Sequence, residues 1–344
     1  MLSVPVIPPV PPNGNPRPFW SVMIPAYNPS KDYLEQMLRS VLVQDPGPEQ
    51  MQIEVVDDCS PDVDVAALVR EIAGNRVKVS STHKNLGLAG CWNNCIERSR
   101  GEWVHILHQD DWVLPEFYAR FEALIQAVPG LDAAYSRHFF ADADGHWTAI
   151  SSLEMRIAGE LKGFDKMIAT WQQAQCAAVI VKCTAYERLG GYRSDLPYVL
   201  DWEMWCRIAA SGRWGYVPQP GAAYRSHPQS ETERLRSSGK ILREFLAGGL
   251  KARENFSREL QDQTAPVFQD TFAGQVLKEA TALYVKGCLK DAGRLLNSFR
   301  KEMMRSNYRR QWLWLRLRVF VKPFRKLKEE SGNGQSGHRP QVKN

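Results

Sequence analysis

Two adjacent carboxylates, Asp110 and Asp111, close the run Trp103-Val104-His105-Ile106-Leu107-His108-Gln109-Asp110-Asp111-Trp112, with Pro115 just beyond. The apolar part of this run has the length of a buried strand, so the carboxylates stand at its C-terminal end. In an open α/β sheet that edge is where ligands bind, and hard oxygen ligands there suit Mg²⁺ or Mn²⁺ holding a diphosphate. Two like charges side by side repel, which invites a cation. The competing reading is an exposed acidic turn that caps a helix opening near Pro115. Other polar residues follow other apolar runs. Asp57 and Asp58 can accept hydrogen bonds from a base or a ribose hydroxyl, although Asp57-Asp58-Cys59-Ser60 would equally form an Asx turn and helix cap. Pro25-Ala26-Tyr27 offers a small residue that admits a ligand and an aromatic that can pack on a base or ribose. In Asn85-Leu86-Gly87, glycine permits close backbone approach to a ligand.

The elements that must position these residues alternate regularly. Strands are expected at Phe19 to Pro25, Gln52 to Asp57, Val77 to Ser80 and Trp103 to Leu107, separated by helices at Lys31 to Val43, Val63 to Ala73 and Leu88 to Arg98. Strand then helix, repeated, predicts a parallel sheet wrapped by helices, with the polar strand ends on one edge. After Pro129 the pattern loosens. Short strands are expected at Ala133 to Tyr135, His146 to Ile150, Trp214 to Val217 and Ala222 to Tyr224, with an apolar run at Cys176 to Val181 and helices at Thr184 to Leu189 and Asp201 to Ala210. Beyond Glu231 the chain reads as helical, with a hairpin over Leu277 to Phe299 turning at Gly287 to Asp291.

Taken in order, Ile24-Pro25-Ala26-Tyr27-Asn28, Val55-Val56-Asp57-Asp58-Cys59-Ser60-Pro61-Asp62, Asn85-Leu86-Gly87 with Asn93, Asp110-Asp111 with Pro115, and Asp201-Trp202-Glu203-Met204-Trp205 before Arg207 resemble a family 2 glycosyltransferase of the GT-A fold. The resemblance runs from about Trp20 to Ser230. It implies a Rossmann-like α/β domain with a mixed, mostly parallel sheet, and an inverting transfer of one sugar from a nucleotide-diphospho-sugar to a hydroxyl. By that resemblance Asp58 reads the base, Asn85 to Gly87 closes over the nucleotide, and Asp110 holds a divalent cation, Mn²⁺ or Mg²⁺, with Asp111 beside it. Asp201 falls at the position of the base that deprotonates the acceptor, with Glu203 in reserve. His227 would add a metal or diphosphate contact and Arg225 a positive charge near phosphate. Pro25, Ala26, Tyr27, Asp57, Asn85, Gly87, Asn93 and Asp111 complete the nucleotide side. Gly190, Gly191 and Trp202 are assigned to the acceptor side.

One position departs from the family pattern: His108 stands where the first carboxylate of Asp-x-Asp-Asp usually is. An imidazole can still ligate Mn²⁺ or simply pack. This departure also motivates a different reading, a nucleotide-sugar-binding or scaffold protein of the same fold without turnover.

Bulk properties set the remaining bounds. The 344 residues are 44% hydrophobic and 24% charged, enough for one large α/β domain with an appendage. The expected organisation is a disordered Pro-rich lead over 1–18, the glycosyltransferase domain over 19–230 (nucleotide half 19–112, acceptor half 113–230), a helical extension over 231–330 and a disordered tail over 331–344. The net charge of +6 gathers between Arg305 and Lys328, where nine basic residues occur with no acid. Interleaved with Trp312, Leu313, Trp314, Leu315, Leu317, Val319, Phe320 and Val321, that charge suits the surface of an anionic bilayer or a packed helix; nucleic acid fits poorly, since no binding motif accompanies it. Seven cysteines without zinc spacing and a lead without a signal-peptide pattern point to the cytoplasm, and the basic segment to the inner face of the plasma membrane. The acceptor is then a glycan or a lipid-linked molecule. No apolar stretch of membrane-spanning length and no Gln-x-x-Arg-Trp motif occur, which argues against a processive membrane synthase.

Overall fold

The computed structural model describes residues 4–11, 16–230, 232–233 and 240–319. Its first strand, β1 (Trp20–Ala26), is buried along its whole length. There follow α1 (Lys31–Leu42), β2 (Met51–Asp57), α2 (Val65–Ala73), β3 (Lys78–Ser81), α3 (Gly87–Arg98) and β4 (Trp103–Ile106). β1 pairs in parallel with β2 and β4, and β2 with β3. This is the repeating strand-helix half that the sequence pattern predicts. Pro25 lies past the last β1–β4 pair, Met23 with Ile106, where the ladder ends on the bond from the Leu107 N–H to the Met23 carbonyl.

The second half comprises β5 (Trp112–Val113), α4 (Phe117–Ala127), β6 (Ala133–Ala141), β7 (Trp147–Ile150), β8 (Gly159–Glu160), α5 (Phe164–Ile168), β9 (Val179–Lys182), α6 (Cys183–Leu189), α7 (Leu200–Ala209) and β10 (Trp214–Arg225). The sheet order is β3-β2-β1-β4-β9-β6-β10-β5, with β7 on β6 and β8 on β10. Two short closing strands were expected, but β10 is one strand of 12 residues. Register shifts between Val217, Pro220 and Ala222 absorb its prolines and let parallel pairing to β6 resume. That continuity carries Arg225 to the edge where β4 ends. β5 is short and was not anticipated; it pairs Trp112 with Ala223 and Val113 with Ala222, so the chain just after Asp111 is fixed to β10.

The helices follow their apolar stripes. Leu34, Met37, Leu38 and Val41 of α1 are buried, and the Asp64 carboxylate caps α2 by accepting from the Ala67 N–H at 2.9 Å.

Two expectations about domain limits are corrected. The lead is not disordered where it is described: Ile7 is buried, the Gly191 N–H donates to the Pro5 carbonyl at 2.7 Å, and Arg17 donates to the Arg100 and Gly101 carbonyls. The remaining lead residues, 1–3 and 12–15, lie outside the described residues, as do 320–344 with the expected tail and the end of the basic run. The chain divides at Gln261/Asp262 and not near residue 230. The reason is α8 (Ile241–Arg253): its Phe245 ring sits 4.2 Å from Trp171 and 4.8 Å from Trp202, inside the first unit.

α9 (Arg258–Val285), α10 (Leu289–Ser298) and α11 (Arg300–Arg305) follow, then helical residues 309–319. The expected hairpin is present, turning through Gly287 at φ +80°. No helix among the described residues is long and apolar enough to cross a membrane.

Candidate active site

The residues that follow β1, β2, β4 and β10 are tied to one another. Gln109 bridges the first and third of these strand ends: its side chain accepts from the Tyr27 N–H at 2.8 Å and donates to the Tyr27 carbonyl at 3.1 Å. Asn28 adopts φ +43°, and its carboxamide exchanges hydrogen bonds with Asp62, which binds the β1 loop to the β2 loop. Tyr27 itself is 46% exposed, leaving its ring free to stack on a ligand.

Asp110 and Asp111, though adjacent, do different things. Asp111 is buried at 1% exposure, and one oxygen accepts from the Arg225 N–H at 2.8 Å, pinning the β4 loop to the end of β10. Its other oxygen lies 3.2 Å from His108 Nδ1. Burial, joined by the charge of Asp110, raises the Asp111 pKa above the ordinary carboxylate value. The expectation that Asp111 touches the nucleotide is corrected, because its side chain faces inward. Asp110 keeps a partly exposed carboxylate whose Oδ2 accepts from His227 Nε2 at 2.8 Å. This hydrogen bond chiefly raises the His227 pKa, and Gln229 adds to it at Nδ1.

His108 lies in the same cluster. Ligand atoms of His108, Asp110 and Asp111 all fall within 4.8 Å of one another. The His108 ring stacks on Trp92 at 4.8 Å, and burial disfavours its charge, but the sulfur of Cys176 and the carboxylate of Asp111 outweigh that and hold its pKa well above the usual imidazole value. His108 Nε2 is buried without a hydrogen-bond partner, and Asp111 Oδ2 has only its 3.2 Å ion-pair contact with His108 Nδ1. Polar atoms of this kind, beside an accessible carboxylate and an imidazole, fit a divalent cation.

Arg225 is not a spare charge for phosphate. Its guanidinium donates to the carbonyls of Asp110 (2.9 Å) and Ala143 (2.8 Å) and to Gln36, and lies over the rings of Tyr33 (4.2 Å) and Trp112 (4.6 Å). It holds the Asp110 backbone instead.

Asp201 sits in the first turn of α7, not at the N-cap, which is Val199. Oδ1 accepts from the Trp202 N–H at 2.7 Å, and Oδ2 accepts from Gln172. Burial dominates and pushes its pKa up to about 6, against the pull of these hydrogen bonds and of the charge on His108. The charge of His108 thus bears on Asp111 within the cluster and on Asp201.

Several expected site residues are structural. Glu203 is 1% exposed and paired to Arg207 at 2.5 Å, with Asn255 donating at 3.1 Å, so it has no room to serve as a base. Trp202 is wholly buried and donates to the Ile168 carbonyl at 2.7 Å, which removes it from the acceptor side. Asn93 is engaged by Tyr192 on both sides of its amide, at 2.6 and 2.9 Å, rather than facing a nucleotide. Gly190 and Gly191 are closed off as well: a Cβ on Gly191 would come within 2.3 Å of the Asn93 oxygen, and one on Gly190 within 2.5 Å of the Pro5 carbonyl. Asp57 forms the Asx-type turn, accepting from the Ser60 N–H (3.1 Å) and hydroxyl (2.6 Å). Asp58 is buried and accepts from the N–H groups of Leu86 (2.8 Å) and Gly87 (2.9 Å) and from the Thr82 hydroxyl (3.1 Å). It thus fastens the Asn85 to Gly87 loop, whose Asn85 side chain also accepts from the Gly87 N–H at 3.0 Å. Pro25 and Ala26 are buried at the end of β1.

The residues that sequence reasoning missed are Gln109, Tyr33, Gln36 and Gln172. Tyr33 and Gln36, three apart on the polar side of α1, were legible as a stripe without an assigned task; Gln109 and Gln172 left no such signal.

The sequence profile of glycosyl transferase family 2 matches residues 21–189, and through this segment the chain belongs to glycosyltransferase family 2. Among its relatives, the succinoglycan biosynthesis protein ExoO of Rhizobium meliloti (strain 1021) is 31% identical over 145 residues, 42% of this chain and 36% of ExoO. The chain thus spans about a third of ExoO. The crystal structure of Staphylococcus aureus TarS 1–349 in complex with UDP aligns with a TM-score of 0.55 at 18% identity, covering 94% of each chain. Mannosyltransferase PcManGT from Pyrobaculum calidifontis, in complex with GDP-Man and Mn²⁺, aligns with a TM-score of 0.52 at 18% identity, covering 93% of this chain and 90% of that one. These likenesses establish the GT-A fold.

Proposed function

We propose that the chain is an inverting glycosyltransferase that moves one sugar from a nucleotide-diphospho-sugar to the hydroxyl of a glycan or lipid-linked acceptor, in surface polysaccharide or glycolipid assembly at the cytoplasmic face of the membrane. The observation that carries this reading is that Asp110 and His227 meet at the C-terminal edge of the sheet, beside His108 and Asp111. The nucleotide and sugar-nucleotide complexes of TarS and PcManGT, and the role named for ExoO, support the donor class and the setting.

Asp110 and His227, with His108 and Asp111 behind them, would hold Mn²⁺ or Mg²⁺. When bound, the cation neutralises charge on the departing nucleoside diphosphate. The chain does the rest. Tyr27 offers its exposed ring to the base or ribose, and Asp58 keeps the Asn85 to Gly87 loop, where α3 begins, aimed at the diphosphate. Asp201, with a pKa of about 6, is ionised at neutral pH yet basic enough to take the acceptor proton at Oδ1 or Oδ2 as the hydroxyl attacks C1. Gln172 and the Trp202 N–H hold that carboxylate in place.

Thermal denaturation with UDP-, GDP- and dTDP-linked sugars in the presence of Mn²⁺ identifies the donor, since a ligand that binds only the folded chain raises its melting temperature. Transfer from that donor with Asp110→Ala and Asp201→Ala is the decisive comparison. Undiminished product from both variants overturns the proposal.

A further inference from the structure

The C-terminal unit carries a surface that sugar transfer does not use. Helical residues 309–319 turn one stripe inward: Trp312, Leu315 and Val319 are buried, and the Trp312 indole N–H donates to the Leu296 carbonyl at 3.0 Å. The other stripe keeps large apolar groups in water. Leu313, Trp314 and Leu317 are 40%, 54% and 65% exposed. Trp312, Leu315 and Val319 already supply this helix's packing, so the outward groups add nothing to the core, and grouped apolar exposure of this kind marks a contact surface.

The charge along this stretch of chain has one sign. Arg305, Arg309, Arg310, Arg316 and Arg318 occur without an acidic residue between 305 and 319. The Arg318 guanidinium lies 3.8 Å from the centre of the Trp314 ring. Alongside opens a groove of about 720 Å³, walled by Leu277, Tyr308, Trp314 and Leu315 and flanked by the cations of Lys278 and Arg310.

We propose that this face binds the surface of an anionic phospholipid bilayer, with Trp314 and Leu317 entering the boundary between headgroups and acyl chains while Lys278 and Arg310 hold lipid phosphates. Stable peripheral binding needs both an apolar and a cationic contribution, and the two lie side by side here. Nucleic acid would use the cations and the indole but has nothing to bury Leu313 and Leu317 against. The inference is independent of the sugar-transfer reading, because binding is measured without turnover.

The test is flotation of the full chain with vesicles of phosphatidylcholine alone or mixed with phosphatidylglycerol. The expected result is recovery with the anionic vesicles only, reduced by added salt. Lys278→Gln with Arg310→Gln should lower the apparent affinity about 30-fold, from roughly 1 kcal/mol per basic residue at such a surface. Trp314→Ala with Leu317→Ala should lower it at least tenfold. All four side chains lie on the groove or the exposed stripe, so unchanged melting temperatures should accompany these losses. Equal recovery of either double variant, no flotation of the full chain, or retention on RNA in place of vesicles overturns the proposal.

Discussion

Asp110 Oδ2 and His227 Nε2 stand 2.8 Å apart, although 117 residues separate them in the chain. The long β10 brings them together, since it delivers Arg225 to the Asp111 carboxylate and leaves His227 two residues further on. The pair therefore depends on the register of a strand whose prolines are absorbed by bulges.

Asp110→Ala should abolish stabilisation by nucleotide-sugar that requires Mn²⁺, and should cut transfer on the order of 10³-fold, matching several kcal/mol of lost Lewis-acid assistance. His227→Ala should instead raise the Mn²⁺ concentration needed, by about 10- to 100-fold. Titration of activity against Mn²⁺ separates the two effects.

Asp201→Asn keeps the shape and the Trp202 N–H contact but cannot accept a proton. Transfer should fall about 10²- to 10⁴-fold. Donor-induced thermal stabilisation should persist, and its loss would show that Asp201 acts on binding instead.

The pH dependence follows from the same carboxylate. With a pKa of about 6, Asp201 is protonated below that value and ionised above it, so kcat/KM should fall as pH drops through 6. Gln172 favours the charged form, so Gln172→Ala should move this acid limb to higher pH. A limb that stays in place would detach Gln172 from the site's electrostatics.

Glu203→Ala leaves Arg207 buried without its partner. Loss of one member of such a pair costs about 3 to 5 kcal/mol, so the melting temperature should drop strongly. Arg207→Met in the Glu203→Met background should recover much of it.

Asp58→Ala frees the Leu86 N–H and leaves the Gly87 N–H only Asn85 and the Thr82 hydroxyl only the Lys84 carbonyl. Stability should fall by about 1 to 3 kcal/mol, and donor affinity should fall with it as the loop at the start of α3 loosens. Asp58→Asn, which can still accept at one oxygen, should recover part of both.

Much of the fold was legible before any coordinates. The strands to β4 and the helices between them follow from apolar periodicity, whereas Asp110 was assigned to the cation only through the family resemblance, since the residues alone left an acidic helix cap open. Asp111, one residue away, was given to the nucleotide side, and its inward turn was not legible, because it depends on the pairing of β5 with β10 and on the Arg225 N–H. Glu203, Trp202 and Asn93 misled for one shared reason. Each is a polar or aromatic residue inside a motif, and what it faces depends on partners remote in sequence, such as Asn255, Ile168 and Tyr192. Arg225 was read as a phosphate contact because the family resemblance implied one, whereas Tyr33, Trp112 and Gln36 already occupy it.

The seat of Pro5 and Ile7 against Gly190 and Gly191 bears on how the protein is produced. A shortened version starting at Trp20, the natural choice from the span that matches the family, would strip a plug from the two glycines that follow α6 and unsettle the approach to α7. Affinity tags are better fused through a spacer ahead of Met1, and poor yield from a trimmed clone would point to this missing wedge before any fault in the catalytic half.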